Sequence, residues 1–462
     1  AAGCGDVGSG SRMTAASTTI AARLAHTVGA ENILADPADL AAYEIGGKIP
    51  SAAARPQAAE QVAEIVRFAA AEKLAIVPCG ARTKLAIGAP PRQYDLALEM
   101  TGLDHVVAYD PGDMTLSVGP GIPLRRIEGT LAEHRQFLPL VVPFMDRATA
   151  GGTIASGVDS PLRQFYGTAR DYLLGVEFVT GDGASAKSGG RVVKNVSGYD
   201  LHKLMIGALG TLGVLTKINF RTFPLPASTR AFVVSFATAT EAIALRHALA
   251  QLPLRPLVIE ILSQSAAKLI GSGLPSNPGW SLVTSFAGTV EILNRCAREL
   301  QRMAEQSGAA DVSPIQEERL FAASRRTSQF VTAALASSPA ATILKLSVLP
   351  TKADAMLDAA ARAAAAMPWA ALARGVGVIY FALLPAAQND DTSARVIRAT
   401  NDIFAQCTAL AGNATIPWCP PRSKSALPIW GPERADLAPM RALKKVFDPH
   451  AILSPGRFMG GI

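Results

Sequence analysis

Three short segments rich in glycine and other small residues carry the strongest signal for chemistry in the sequence. They are PCGARTK (78–84), TAGGTIASG (149–157) and GALGTLGV (207–214). Glycine occurs where the backbone must adopt a positive φ, or where another group approaches the main chain closely. Together the three segments could surround a pyrophosphate with backbone N–H groups. A helix C-cap or an ordinary turn also explains any one of them, so the prediction depends on the set.

The elements that must position the first two segments follow from hydrophobic periodicity. Residues 56–74 have a helical repeat and residues 75–80 form a short strand, which predicts a βαβ-like unit leading into the first segment. Short strands are predicted within 94–120, and a helix is predicted over 123–134. The stretch 137–158, which contains the second segment, is predicted to be a loop.

The third segment follows a strand–turn–strand pattern and a short helix. Within residues 171–195, GDGASA fits the G-x-G-x-x-A fingerprint of nicotinamide-binding domains, but that fingerprint needs a helix after it. KSGGRVV follows instead, so we predict a hairpin with a Gly-Asp-Gly turn and no dinucleotide site there. Leu201, Leu204 and Met205 then have helical spacing, and Asp200 stands at the N-cap position.

The second half of the chain has a different pattern, which begins after FPLP (223–226). Strand-like runs alternate with helical runs, which predicts an α+β domain whose helices cover one face of a mainly antiparallel sheet. The strand-like runs are 231–237, 257–262, 281–287, 342–349 and 376–384, and the helical runs lie near 239–251, 289–307, 351–366 and 393–411. The alanine-rich stretch 358–373 is predicted to be helical.

Composition and charge exclude several classes of protein. The 462 residues are 49% hydrophobic and 18% charged, and the net charge of +7 suits an anionic cofactor, an acidic substrate or an anionic membrane surface. Lys and Arg are scattered and aromatic residues make up only 6%, which argues against nucleic-acid binding. Five dispersed cysteines without a Cys-x-x-Cys pair indicate a reducing compartment.

Several motifs are missing from the sequence. No apolar run reaches the ~18 residues of a transmembrane helix, and the start lacks the regions of a signal peptide. We therefore expect a disordered extension over 1–16 and a cytoplasmic protein, which leaves peripheral attachment through a membrane-bound partner open. Neither a P-loop nor G-x-S-x-G occurs, and no two histidines have metal-binding spacing, so no metal site is expected.

With these segments in this order, the sequence resembles the FAD-binding fold of the vanillyl-alcohol oxidase and p-cresol methylhydroxylase family. The resemblance covers 50–225 and 447–458. More narrowly, GGTIASGVDSPLRQFYGTARDYLLGVEFVTGDG, KNVSGYDLHKLMIG and GTLGVLT are similar to the FAD-binding subunits of bacterial glycolate oxidases. The family implies an α+β fold with a two-part FAD-binding domain (17–225, with 434–462 returning to it) and an α+β cap domain (226–433).

The resemblance also implies which residues contact FAD. The implied set comprises Pro78, Gly80, Ala81, Arg82, Thr83 and Lys84 around the pyrophosphate, Ala150, Gly151, Gly152, Ala155 and Ser156 beside the ribityl chain and flavin ring, and Asp200, Gly213 and Val214 around the third segment. Arg82 stands where many relatives have glycine, and Ser454 stands where the family usually has asparagine. Relatives with a histidyl-linked flavin carry a histidine in the first segment. None occurs here, so noncovalent FAD is expected, with Cys79 as the alternative attachment point.

The function implied by the resemblance is the oxidation of a small 2-hydroxy acid such as glycolate. The chain would be the FAD-binding subunit beside a sister flavoprotein subunit and an iron–sulfur subunit. The sequence lacks cluster-binding cysteines and the His-x-His pair of related D-2-hydroxy-acid dehydrogenases, which favours a subunit over a standalone dehydrogenase. A standalone dehydrogenase and a non-catalytic electron-relay subunit remain alternatives.

Four residues are candidates for the substrate site. Lys194, Arg170 and Arg422 are possible cations for a substrate carboxylate, and Tyr199 could position the substrate. A surface or structural role explains each of them equally well.

Overall fold

The computed structural model describes residues 20–191, 198–251, 253, 255–271, 279–316, 320–365 and 367–462. The first sheet and the helices around it comprise α1 (20–28), β1 (Ile33–Leu34), α2 (Pro37–Leu40), β2 (Ala52–Ala54), α3 (Ala59–Glu72), β3 (Ile76–Cys79) and β4 (Leu96–Glu99). The strand order is β1-β2-β4-β3, with β4 parallel to both β2 and β3. Helix α3 buries Val62, Ile65, Val66 and Ala69 in the core that also holds the sheet residues, as the helical repeat predicts.

The second sheet supports the second and third glycine-rich segments. Its region comprises β5 (Val106–Asp110), β6 (Thr115–Val118), α4 (Leu124–Ala132), β7 (Gln136–Phe137), α5 (Ala150–Ser156), α6 (Arg163–Tyr166), α7 (Ala169–Tyr172), β8 (Leu173–Val179), β9 (Ser185–Gly189), β10 (Val214–Arg221) and β11 (Phe223–Pro224). Five strands pair antiparallel in the order β5-β6-β10-β8-β9, and β7 pairs with β11. Strands β8 and β9 form the predicted hairpin.

The cap domain is built on an eight-stranded sheet in which every strand pair is antiparallel. Its elements are β12 (Ser228–Phe236), α8 (Ala239–Ala250), β13 (Val258–Leu262), α9 (Gln264–Ile270), β14 (Trp280–Gly288), α10 (Val290–Gln306), β15 (Asp311–Pro314), α11 (Ala322–Ser328), α12 (Phe330–Ser337), β16 (Thr342–Ser347), α13 (Ala353–Ala364), β17 (Trp369–Arg374), β18 (Val378–Leu383), α14 (Asp390–Ala409) and β19 (Asn413–Trp418). The strand order is β15-β12-β14-β13-β17-β18-β16-β19. Helices α8, α10, α13 and α14 cover one face of the sheet, so the predicted α+β class is confirmed.

The last part of the chain returns to the first sheet. Helix α15 (Leu437–Phe447) is followed by an extended stretch in which Leu453 forms a bridge with Ile76 of β3. Asp448, which is buried, accepts hydrogen bonds from Lys444 Nζ at 2.6 Å and Leu453 N at 2.8 Å. These contacts place the last part of the chain beside β3, the strand that leads into the first glycine-rich segment.

The structure corrects three local predictions. The second segment forms helix α5 rather than a loop, because the Thr149 side chain caps the helix by accepting from Gly152 N. The alanine-rich stretch is helical only to Ala364, and its end belongs to strand β17, since Pro368 cannot continue a helix and small side chains fit the middle of the sheet. Residues Leu201–Met205 form a 3-10 turn, and Asp200 pairs with Lys203 instead of capping a helix.

Candidate active site

The first glycine-rich segment leaves β3 and packs against the start of α5. A Cβ on Gly80 would collide with Thr149 Oγ1, so this close approach requires glycine. Arg82 has φ of 60°, a left-handed conformation that glycine adopts more easily. Its guanidinium turns away to pair with Glu99 and lies over the Tyr43 ring at 4.5 Å from the ring centroid. These contacts of the Arg82 side chain stabilise the turn in its left-handed conformation.

The second and third segments complete a narrow cleft with the first. A Cβ on Gly151 would lie 2.6 Å from Pro120 Cβ, so no side chain fits at that position. Gly207 and Gly210 have φ of 79° and 71°, and a Cβ on Gly213 would lie 2.8 Å from Phe178 Cδ2. The glycines of the third segment are therefore required by backbone conformation and by packing on β8, and they also leave the cleft open.

Most of the residues that the resemblance assigns to FAD line this cleft. The structure brings together Pro78, Gly80, Ala81, Arg82, Thr83, Lys84, Gly151, Gly152, Ala155, Ser156 and Gly213. Ala150 and Val214 are fully buried in the apolar cores beside it. Asp200 lies at the surface in its ion pair with Lys203. The contacts of each of these residues with FAD stay predictions.

Three buried cations surround the first segment without a carboxylate partner among the described residues. Arg457 donates to Leu85 O at 2.6 Å and to Ile87 O, and Lys424 donates to Gly88 O at 2.6 Å and to Ala86 O. Lys84 lines the cleft, and among the described residues its ammonium makes one hydrogen bond, a long contact of 3.4 Å to Thr83 Oγ1.

Burial lowers the pKa of all three cations, since a charged form without a counter-ion is disfavoured there. The pKa falls to about 7 for Lys84, about 8 for Lys424 and about 10 for Arg457. A buried cation without an anion is unfavourable unless a ligand supplies the negative charge. Of these cations, Lys84 and Arg457 line the glycine-rich cleft, which therefore suits the pyrophosphate of a dinucleotide.

A second cavity, of about 340 Å³, lies where the N-terminal domain meets the cap sheet. Ser156, Gly157 and Gly207 form part of one wall, and Ser156 also lines the cleft, so the two spaces are neighbours. The facing wall comes from three cap strands and the segment that follows them, and it is lined by Lys345, Ser347, Tyr380, Asn413, Thr415, Ile416, Pro417, Trp418, Ile429 and Trp430. The cavity therefore combines a polar patch with an apolar surround.

A buried network of charges lies behind this cavity and joins the two domains. Asp159, which follows α5, accepts a hydrogen bond from Tyr380 at 2.7 Å and pairs with Arg163 and with Arg374 at 3.5 Å. Arg374 Nη1 also contacts Glu260 Oε1 at 2.5 Å. Arg163 is half-buried. The other four side chains of the network are nearly inaccessible to solvent: Asp159, Tyr380, Arg374 and Glu260.

The network shifts the pKa values of its own groups. Burial disfavours the Asp159 carboxylate, but Lys345, Arg374 and Arg163 outweigh that effect and hold its pKa below the usual range. Burial raises the pKa of Glu260 to about 7, against the stabilising charge of Arg374. Tyr380 has a pKa well above its ordinary value because of burial and the nearby Asp159, so its hydroxyl stays protonated.

The four residues predicted for the substrate site do not line this cavity where the structure describes them. Tyr199 is 90% exposed, and Arg170 and Arg422 are also at the surface. Lys194 lies outside the described residues. The roles of these residues stay predictions.

Sequence reasoning missed Lys345, Tyr380 and the charged pair Glu260 and Arg374. All four occur within strands that are otherwise apolar, such as TILKLS and VIEIL. A charged residue inside an apolar strand is a signal for a buried pair or a ligand contact, and this signal was available in the sequence.

Two family models match consecutive parts of the chain. Residues 50–188 match the model described as an FAD binding domain. Residues 225–416 and 429–458 match the C-terminal domain of FAD linked oxidases. The chain belongs to the FAD-linked oxidases. It is an oxidoreductase whose cofactor is FAD, and the cleft between the three segments fits that cofactor.

Named relatives and solved structures agree with this family. The chain is 25% identical to the glycolate oxidase subunit GlcD of Bacillus subtilis (strain 168), over 88% of this chain and 89% of that protein. It is 38% identical to the glycolate oxidase subunit GlcE of Escherichia coli (strain K12), over 35% of this chain and 46% of that protein. A crystal structure of p-cresol methylhydroxylase with substrate bound has the same fold, with a TM-score of 0.78, 17% identity and 96% of both chains covered.

Other classes of site are not seen in the described part of the chain. There, no group of three or more His, Cys, Asp or Glu side chains has the arrangement of a metal site. None of the helices described is both long enough and apolar enough to cross a membrane.

Gly152→Leu is expected to abolish FAD binding. Gly152 lines the cleft, and its Cβ would meet Thr149 Oγ1 at 3.0 Å, so a branched side chain would extend into the space for the cofactor. The matched control is Gly129→Leu, also in a helix, where a Cβ would meet nothing within 4 Å. The measurement is the flavin absorbance of each purified protein relative to its protein concentration. A Gly152→Leu protein with the flavin content of the wild type would contradict this assignment.

FAD affinity is expected to decrease as the pH rises above 7. In the empty cleft burial lowers the pKa of Lys84 to about 7, whereas a bound pyrophosphate favours the ammonium and raises it. Below pH 7 both forms are protonated, so affinity is highest there. Above pH 7 binding must take up a proton, and the dissociation constant rises by up to about tenfold per pH unit.

Lys84→Met should remove this pH dependence, and Lys445→Met, at an exposed site on α15, should keep it. The measurement is calorimetric titration of the FAD-free protein in buffers with different ionisation enthalpies, which counts the protons taken up. Equal proton uptake by the wild type and Lys84→Met would refute the assignment to Lys84.

Proposed function

We propose that this chain uses FAD to oxidise a small 2-hydroxy acid such as glycolate, as the FAD-binding subunit of a multi-subunit glycolate oxidase or dehydrogenase. The observation that carries the proposal is the cavity of about 340 Å³, which shares Ser156 with the cofactor cleft and has a cation and hydroxyl groups on its cap wall. A 2-hydroxy acid presents one carboxylate and one hydroxyl, which suit these partners. The names of the matched glycolate oxidase subunits support the same substrate class.

FAD, when bound, supplies the acceptor for the hydrogen and the two electrons that leave the hydroxylated carbon. The residues of the chain hold the substrate in place for this chemistry. Asp159 fixes the orientation of Tyr380 through the 2.7 Å hydrogen bond, and Arg374 fixes Asp159 in turn. Ile416, Trp418 and Trp430 form an apolar surround that excludes water from the polar patch.

The subunit reading is supported by the pattern of matches and by the sequence. The chain resembles two different subunits of glycolate oxidase, GlcD along most of its length and GlcE with higher identity over a shorter part. It has neither a His-x-His pair nor closely spaced cysteines. We propose a sister flavoprotein subunit and an iron–sulfur subunit as its partners. The four described cysteines are all free and buried, which suits the reducing conditions of the cytoplasm.

A second candidate is a standalone FAD-linked D-2-hydroxy-acid dehydrogenase. The observation that favours it is that this single chain lines both the cofactor cleft and the cavity beside it, including the cap wall. A non-catalytic electron-relay subunit is the third candidate, and it would need no substrate in the cavity.

The FAD is expected to be noncovalent. Burial raises the pKa of the Cys79 thiol to about 12, with Glu99 adding to the effect, so the thiolate needed for attachment is suppressed. Acid precipitation of the yellow protein should leave the flavin in the supernatant, where its absorbance can be measured. Flavin that stays with the denatured protein and is lost in Cys79→Ser would show attachment at this cysteine.

The isolated chain is expected to bind FAD but to oxidise glycolate or D-lactate slowly, because it holds only part of the electron path. Adding the two partner subunits should restore turnover. The measurement is dye reduction by the single chain and by the reconstituted complex at equal flavin concentration. Full turnover by the single chain would favour the standalone dehydrogenase. If the substrate instead binds to another subunit of the active complex, the chain would be the electron-relay subunit.

A further inference from the structure

The polar patch on the cap wall is created by the register of three neighbouring strands. Lys345 of β16 pairs with Tyr380 of β18 on one side and with Thr415 of β19 on the other. Directly paired residues in antiparallel strands share a face of the sheet, so these three side chains lie together. Leu344 and Leu346, which flank Lys345, point to the opposite face and are buried in the core under the helices. The register therefore turns a lysine toward the cavity.

Lys345 is the one cation in the described lining of this cavity. Its side chain is half-buried and, among the described residues, has no hydrogen-bond partner and no carboxylate oxygen within 4.0 Å. Arg374 and Arg163 both pair with Asp159, and the other carboxylate of the network, Glu260, pairs with Arg374.

This arrangement leaves one positive charge over. Two carboxylates face three cations. The arginines form ion pairs with both carboxylates, whereas Lys345 acts on Asp159 through its charge without forming an ion pair. Glu260 has a raised pKa as well, which reduces the negative charge available behind the cavity. The surplus charge is therefore on Lys345, at the cavity surface, where an anionic ligand can approach it.

Tyr380 is a further polar group of this wall that can still accept a hydrogen bond. Its O–H donates to Asp159 Oδ1, so its proton points away from a ligand while its oxygen can still accept a hydrogen bond. Its phenol stays protonated because burial and Asp159 raise its pKa. A lysine donor beside a tyrosine acceptor is complementary to a carboxylate beside a hydroxyl.

We propose that the Lys345 ammonium binds the substrate carboxylate and that the Tyr380 oxygen accepts a hydrogen bond from the 2-hydroxyl group. Lys345 is then the residue that makes the site select an acid over an uncharged alcohol. This inference rests on the proposed function and specifies its substrate contacts. In this proposal the partner of the substrate carboxylate is Lys345 inside the cavity, and not Arg170 or Arg422 at the surface.

The test uses the FAD-loaded chain, with its proposed partner subunits where these are required for turnover. Oxalate, a non-reacting dicarboxylate, is titrated into the wild type and into Lys345→Met by calorimetry. Lys345→Met should raise the oxalate dissociation constant at least about tenfold, since it leaves a carboxylate without its charged partner. Single-turnover flavin reduction by glycolate and by glycolamide gives a second readout. The wild type should prefer the acid, and Lys345→Met should lose this preference.

Two further variants control for effects on folding and charge. Lys345→Arg keeps the charge and should retain most of the oxalate affinity, and Lys352→Met removes an exposed lysine just beyond β16 and should behave as the wild type. Flavin content and the melting temperature show whether each variant is folded.

The outcomes separate this inference from the proposed function. Wild-type oxalate affinity in a folded Lys345→Met protein, or a wild type that binds no oxalate, would overturn the role of Lys345. Oxalate binding that depends on Lys345, in a chain whose flavin no 2-hydroxy acid reduces in any assembly, would support the anion site and contradict the proposed function.

Discussion

The arrangement of the site depends on the contacts of the buried Asp159 carboxylate with Tyr380 and Arg374. Asp159 follows the second glycine-rich segment directly, and it is held by Arg374 and Tyr380 of the cap. Breaking a buried ion pair by removing one partner typically destabilises a protein by about 3–5 kcal/mol, because the other charge is left without compensation. The two domains are thus held in one relative position at the point where their surfaces form the cavity. The cofactor cleft and the cap wall keep their relative position because this carboxylate, which follows α5, is bound by side chains of the cap.

The region of the cofactor cleft contains features that are unfavourable without a ligand. Lys84, Lys424 and Arg457 are buried without a carboxylate partner among the described residues, and Arg82 and Leu209 have positive φ. Each of these features disfavours folding of the empty protein. An anionic dinucleotide compensates the charges, so we expect FAD to contribute strongly to the stability of the folded chain.

Much of the fold was predictable from the sequence, since the apolar periodicities of α3, the β8–β9 hairpin and most cap strands are strong and local. The second segment was misjudged because two adjacent glycines outweigh the helix cap that Thr149 provides. Strand β17 was hidden by its alanines, which favour helix in isolation but pack in the centre of a sheet when tertiary contacts decide. The cleft residues followed from the family resemblance. The cap wall did not, because only strand register brings Lys345 next to Tyr380 and Thr415.

The return of the chain to its first sheet has a consequence for the order of events in folding. Arg457 donates to the carbonyl of Leu85 across 372 residues of sequence, and the Leu453–Ile76 bridge joins equally distant parts. During synthesis on a ribosome, the first glycine-rich segment emerges long before Leu453 and Arg457, which contact β3 and the residues after this segment. Closing so long a loop is slow compared with forming local structure. The cofactor site is therefore finished among the last parts of the molecule, and a nascent chain that has already folded its cap still cannot hold FAD firmly.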